Sequence, residues 1–274
     1  MKELKRLNKM LNEDSGEDIR EYCSIKNGVL LEVDNSVSGR FVIPEDVVHI
    51  DEEAFVACKG ITDVVFGRGV KSIGDRAFCY CTGLEVLTIP ESVSSIGESA
   101  FWHCDSLRHL RYFSSCSIVP YNCFGECGRL QRVEFSTNWS GKIEEMAFNR
   151  CFSLQDVEFP YGLSVIGRSA FSNCTRLVSL VIPGNVEKIG ARAFAGCTRL
   201  GKLTLEEGVK VILDNAFNGC KKLAVVRIPK SVNSIGYKAF YGCDYLRKVY
   251  VSNNAKYEFY RYDAFPENIK IVES

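Results

Sequence analysis

Apolar residues return along this chain on a fixed schedule. Leu203 and Leu205 stand two apart with Thr204 between them; Val226 and Ile228, Val157 and Phe159, and Leu87 and Ile89 hold the same relation. In an extended strand such pairs share one face and the residue between them takes the other. Each pair belongs to a longer unit. One runs Cys174, Leu177, Leu180, Ile182-Pro183, Val186, Ile189-Gly190, Ala193-Phe194, and Cys197 opens the next. Ala-Phe, once Cys-Phe, recurs from Phe55 to Phe265 in steps of 23 residues, apart from Phe124 to Phe148 (24) and Phe240 to Phe265 (25).

A constant period of this size is the mark of stacked coils rather than of two compact domains. The pattern predicts one short strand per coil, closed by proline at Pro90, Pro160, Pro183 and Pro229 because proline cannot extend a ladder. A Val-x-x-Ile-Gly segment follows, and the stretch from that Gly through Ala-Phe to Cys reads as a single helical turn. Stacking would set equivalent strands about 4.8 Å apart in a parallel sheet and bury what one coil cannot bury alone.

The ends depart from the schedule. Leu4, Leu7 and Leu11 have helical spacing, and Asn27-Gly28 between apolar residues signals a hairpin. Residues 1–40 are therefore expected to form an N-terminal helix and hairpin cap, 41–251 the coils, and 252–274 a C-terminal cap with a closing strand through Ile269 and Ile271.

Leu84, Leu87, Ile89-Pro90, Val93, Ile96-Gly97, Ala100-Phe101 and Cys104 spell out a pattern that resembles the BspA-like leucine-rich repeat family. The resemblance implies a leucine-rich-repeat solenoid of about nine to ten coils. It also implies surface display and the binding of other macromolecules, a protein or a glycan.

Composition narrows the function classes. Lys plus Arg and Asp plus Glu balance at 34 each, which argues against a general attraction to nucleic acid or anionic membrane. No apolar run approaches a membrane span, and residues 1–21 lack the apolar stretch of a secretory signal. The chain as given reads as cytoplasmic, against the surface location that the resemblance implies. Metalloprotease, P-loop, dinucleotide and nucleophile-elbow motifs do not occur. No catalytic residue, metal or cofactor is called for, and an enzyme would have to act without a recognisable motif.

Nine of the thirteen cysteines lie three residues after a repeat Phe, from Cys58 to Cys243. They are expected to form a reduced, buried ladder, since zinc needs four ligands converging on a point. Cys116 and Cys123 replace the repeat Val and Ala. Cys79, just after Phe78, is the candidate for an exposed, reactive thiol.

The schedule is most disturbed from Trp102 to Ile143, where proline is missing after the strands and Pro120 replaces the repeat Gly. There the outward positions are expected to gather Arg108, His109, Arg111 and Arg132 beside Glu134, Asp156 and Glu158, with Trp102 and Trp139 near in sequence and Tyr112 facing inward. An ordinary mixed-charge face and a partner-binding patch are both open, because Arg and aromatic residues are favoured interface anchors. Val65, Val86, Val178, Val181 and Val225 put apolar groups on the same face. A spacer that self-associates through its caps is the rival reading.

Overall fold

The computed structural model describes residues 19–251, 258–259, 263–267 and 269–273. The predicted helix through Leu4, Leu7 and Leu11 lies outside them. Two parallel sheets and a corner run the length of the solenoid, so each coil contributes two strands where the sequence pattern announced one.

The front sheet holds the long strands. Six of them, from Ser38–Val42 to Asp156–Glu158, pair in parallel; Ser179–Ile182 with Lys202–Leu205 forms a second group, and Val225–Arg227, Lys248–Val251 and Lys270–Glu273 a third. The register is one coil per step: Val133 pairs with Leu110 and with Val157. Inward residues such as Leu87, Tyr112, Leu180 and Leu205 are buried, as the period-two pattern requires. Phe66 and Phe159 stay half-buried, edge-on to Phe78 and Phe171.

The back sheet is built from the short segments ending in the repeat Ile, such as Ser95–Ile96 and Lys188–Ile189. Most of them, these two included, are two residues long, too few for an alternation to be read from sequence. The N-terminal hairpin, Cys23–Lys26 with Val29–Val33, opens this sheet. Asn27 (φ 52°) and Gly28 (φ 76°) both take positive φ, the geometry of a primed hairpin turn.

Pro120 divides the back sheet. In seven coils the residue after the repeat Ile or Val donates its N–H to the preceding coil, as Gly97 does to Ile73 and Glu144 to Val119. Pro120 has no N–H to give to Ile96. The sheet accordingly stops at Ser95–Ile96 and resumes at Ile118–Val119.

The corner is not a helical turn. Its residues alternate: Ala77, Cys79 and Cys81 donate within the coil to Gly74, Arg76 and Phe78, whereas Arg76, Phe78 and Tyr80 donate to Glu98, Ala100 and Trp102 of the next. Positive φ at Arg76 and Tyr80, and at their equivalents in every coil to Lys238 and Gly242, makes this alternation and forbids a helix. Inside it, ten Phe rings from Phe55 to Phe265 stack with centroids 4.4–5.4 Å apart and planes within 17°. Offset stacking of this kind adds to the burial of each ring.

Candidate functional site

The front face fixes the predicted patch row by row. His109, Arg132 and Asp156 are Cα partners across three adjacent strands, and Arg111, Glu134 and Glu158 form the row beside them. All six are exposed, because their buried neighbours Leu110, Val133 and Val157 take the inward positions. Arg108 is exposed too, but precedes the strand His109–Tyr112; its N–H goes to the Glu85 carbonyl and its own carbonyl accepts from Gln131. The patch therefore has two rows with Arg108 before them, with cations toward one end and carboxylates toward the other.

Among the described residues the patch holds a single ion pair, Arg111 to Glu134 at 3.7 Å. Arg132 faces Asp156 in register without closing on it, and Glu134 faces Glu158, a like-charge pair. Backbone hydrogen bonds hold the charges in place while the side chains stay open to solvent. Such an arrangement can meet a complementary partner without first breaking a network of salt bridges.

The aromatic residues go elsewhere. Trp139 is 4% exposed; its indole N–H donates to the Cys116 carbonyl at 2.8 Å, and its ring packs beside Tyr112 and Phe135. It is a core residue filling the place of the repeat Val. Trp102 lies on the corner, edge-on to Tyr80 and His103. Tyr112 faces inward as expected, its hydroxyl donating to the Ile118 carbonyl at 2.9 Å. With Pro90 and Pro160 replaced by Phe113 and Ser136 in the intervening coils, a hollow of 790 Å³ opens beside Glu134, walled by Ser115, Ser117 and Asn138.

Cys79 is not an exposed thiol. It is 3% exposed and burial pushes its pKa up to about 11, so the thiolate that reactivity requires is suppressed. The half-buried Cys116 is more accessible, with its thiol donating to the Ile118 carbonyl.

All thirteen cysteines are free, and the ladder has a specific task. From Cys81 to Cys243, eight thiols each donate to the carbonyl of the repeat Phe one coil back, at 3.1–3.4 Å. A buried carbonyl left partly unsatisfied is costly, and a thiol is the small donor that fits. Among the described residues no group of His, Cys, Asp and Glu could hold a metal ion, and no helix is long and apolar enough to cross a membrane.

Comparison with known proteins agrees with this architecture. The BspA type leucine-rich repeat region matches residues 35–141 and 141–271, in six copies. A leucine-rich repeat protein from Eubacterium ventriosum is 29% identical with a TM-score of 0.60, over 62% of this chain and 46% of that one. This chain thus spans just under half of that protein's length. A leucine-rich repeat protein from Bacteroides ovatus is 24% identical over 88% of this chain and 84% of its own, with a TM-score of 0.47. A leucine rich cell surface protein from Faecalibacterium prausnitzii is 22% identical over 87% and 79%, with a TM-score of 0.42. No curated protein matches the chain.

Proposed function

The chain belongs to the BspA type leucine-rich repeat family, and from that premise we propose that it is a non-catalytic scaffold whose front sheet face binds a protein partner. The binding patch comprises Arg108, His109, Arg111, Arg132, Glu134, Asp156 and Glu158. One observation carries this reading: six exposed charged or titratable side chains stand in two registered rows, with Arg108 beside them and one ion pair among them. A backbone fixed by parallel ladders loses little conformational entropy on binding, so contacts there translate efficiently into affinity. Surface display, and a role in adhesion, follow in this reading from the family resemblance.

The test uses the native chain, its surface-exposed partners and an Arg108→Ala/Arg111→Ala variant. Binding is expected to weaken by about tenfold or more, as for charged anchors at an interface, with the unfolding midpoint unchanged. Unchanged affinity would remove the patch, and a partner captured through its sugars alone would move the reading from protein to glycan. A self-associating spacer is favoured by Ile271, which shares the register of the buried Val249 yet is 42% exposed. Sedimentation mass that grows with concentration, and reverts in an Ile271→Lys variant, would select that reading.

A further inference from the structure

The front sheet is interrupted where it meets the acidic end of the patch. Before every other front strand from Val86 to Asp156, a backbone N–H reaches back one coil: Glu85 to Thr62, Arg108 to Glu85, Gln131 to Arg108, Gln155 to Gln131. Among the described residues the next bond of this series, from Val178 to Gln155, is missing, and Ser179–Ile182 pairs only forward with Lys202–Leu205. The half-buried Phe159 sits at this junction, where Ile89 and Ile182 are fully buried at the same position of their own coils.

A cleft of 220 Å³ lies at the junction. Val181 and Tyr161 supply its exposed apolar surface over the buried Val157 and Leu180, and Asp156, Glu158 and Glu206 its carboxylates. No Lys, Arg or His lines it, and among the described residues neither Asp156 nor Glu158 makes an ion pair. Val178 and Val181 are each 49% exposed and Tyr161 is 71% exposed, the largest value of any apolar side chain described. Exposed apolar surface, an aromatic ring and carboxylates without an ion pair thus meet in this concavity on the front face.

We propose that this cleft is a docking pocket for a Lys or Arg side chain carried by an extended segment of a partner protein. The reading rests on the scaffold function proposed above and names the chemistry of its partner. The occupant follows from complementarity. An aliphatic stem matches the exposed Val181, a cationic head matches Asp156 and Glu158, and Tyr161 can cover the stem or face the charge. An acidic or purely apolar segment would leave the two carboxylates unpaired against its own groups. The cationic rows of Arg108, His109, Arg111 and Arg132 then lie alongside, able to meet acidic residues further along the same segment. The pocket fixes register and the rows fix direction.

The experiment selects a random peptide display library against the full chain, then measures the enriched peptides against three proteins: the native chain, Asp156→Asn/Glu158→Gln, and Val181→Lys. The expected result is enrichment of Lys or Arg beside an apolar residue, with affinity falling about tenfold or more in both variants and with rising salt. Replacing that basic residue with Gln should cost the same peptide a similar factor. Because all three substituted positions are exposed, the variants should keep the native unfolding midpoint. Enriched peptides without a basic residue, or indifferent to both variants, would overturn the pocket while leaving the scaffold standing. A library that yields no binder at all would overturn both.

Discussion

The corner and the front face of the same coils follow opposite rules. At the corner, nine Phe amides from Phe55 to Phe240 bond to the next coil at 2.7–2.9 Å without interruption, even across the disturbed stretch. The front face breaks twice, after Asp156–Glu158 and after Lys202–Leu205, and its outward positions vary between charged and apolar residues from coil to coil. The corner tolerates Cys123 for Ala but not a missing bond; the face tolerates missing bonds. What holds the coils together is thus concentrated on one side, which leaves the other free to vary in chemistry and to open a cleft.

The hardest blow to that division is Phe171→Ala. Deleting one ring from the stack should cost about 3–5 kcal/mol by lost burial and an unfilled cavity, whereas Val181→Ala on the face should stay within about 0.5 kcal/mol. Denaturant unfolding of both variants checks the contrast, and equal losses would erase it. Since each coil touches only its neighbours, the Phe171→Ala transition should also broaden.

Alkaline titration probes the corner without mutation. Burial raises the pKa of Cys58, Cys197 and Cys243 to about 12, and lifts Cys81, Cys104, Cys151, Cys174 and Cys220 well above the ordinary value of 9.0. The unfolded chain releases these protons first, so above pH 9 the folded state binds more protons and stability falls as pH rises. The contribution is intact below pH 9 and is lost through the window toward about 12, with each thiol adding about 1.4 kcal/mol per pH unit to the slope. A Cys174→Ala variant should show a shallower slope. A pH-independent midpoint between 9 and 11 would mean that the ladder is not buried in solution.

A smaller effect separates backbone from side chain at the corner. Gly219 has φ 72°, yet a Cβ there would meet nothing closer than 3.7 Å. Gly219→Ala should therefore cost about 1 kcal/mol, the price of a left-handed conformation alone. Tyr80, His103 and Arg150 already bear that cost in their own coils. A thermal melt showing no loss would mean that the corner relaxes its dihedrals, against the uniform geometry of its bonds.

How much of this was legible before the structure depends on what repeats. The inward Leu and Ile pairs, the Phe column and the cysteine ladder could be placed because each recurs at one register, and register determines burial. Cys79 could not, since its column holds Val56, Trp102 and Gly125 in neighbouring coils and shows no consistent polarity. Most back strands were hidden by their two-residue length. The corner was misread because Ala-Phe-x-x-Cys suits a helix, and the left-handed residues that prevent one include Glu, Arg, Ser and Met, which carry no such signal. The rows of the charged patch followed from the period, but the cleft beside them lies at a missing bond in the ladder, which no period announces.

The alternation at the corner has an electrical consequence. In the peptide units Asp75–Arg76, Ala77–Phe78 and Cys79–Tyr80, each carbonyl points back toward the N-terminal end of the stack and each N–H forward. The same three units recur coil after coil, so their dipoles add along the long axis as they do in an α-helix. The polarity relative to the chain is reversed: the C-terminal end of the stack is the positive pole and the N-terminal end the negative one. The molecule thus behaves as a bar with distinguishable ends, and two copies meeting tail to head attract where two meeting head to head repel.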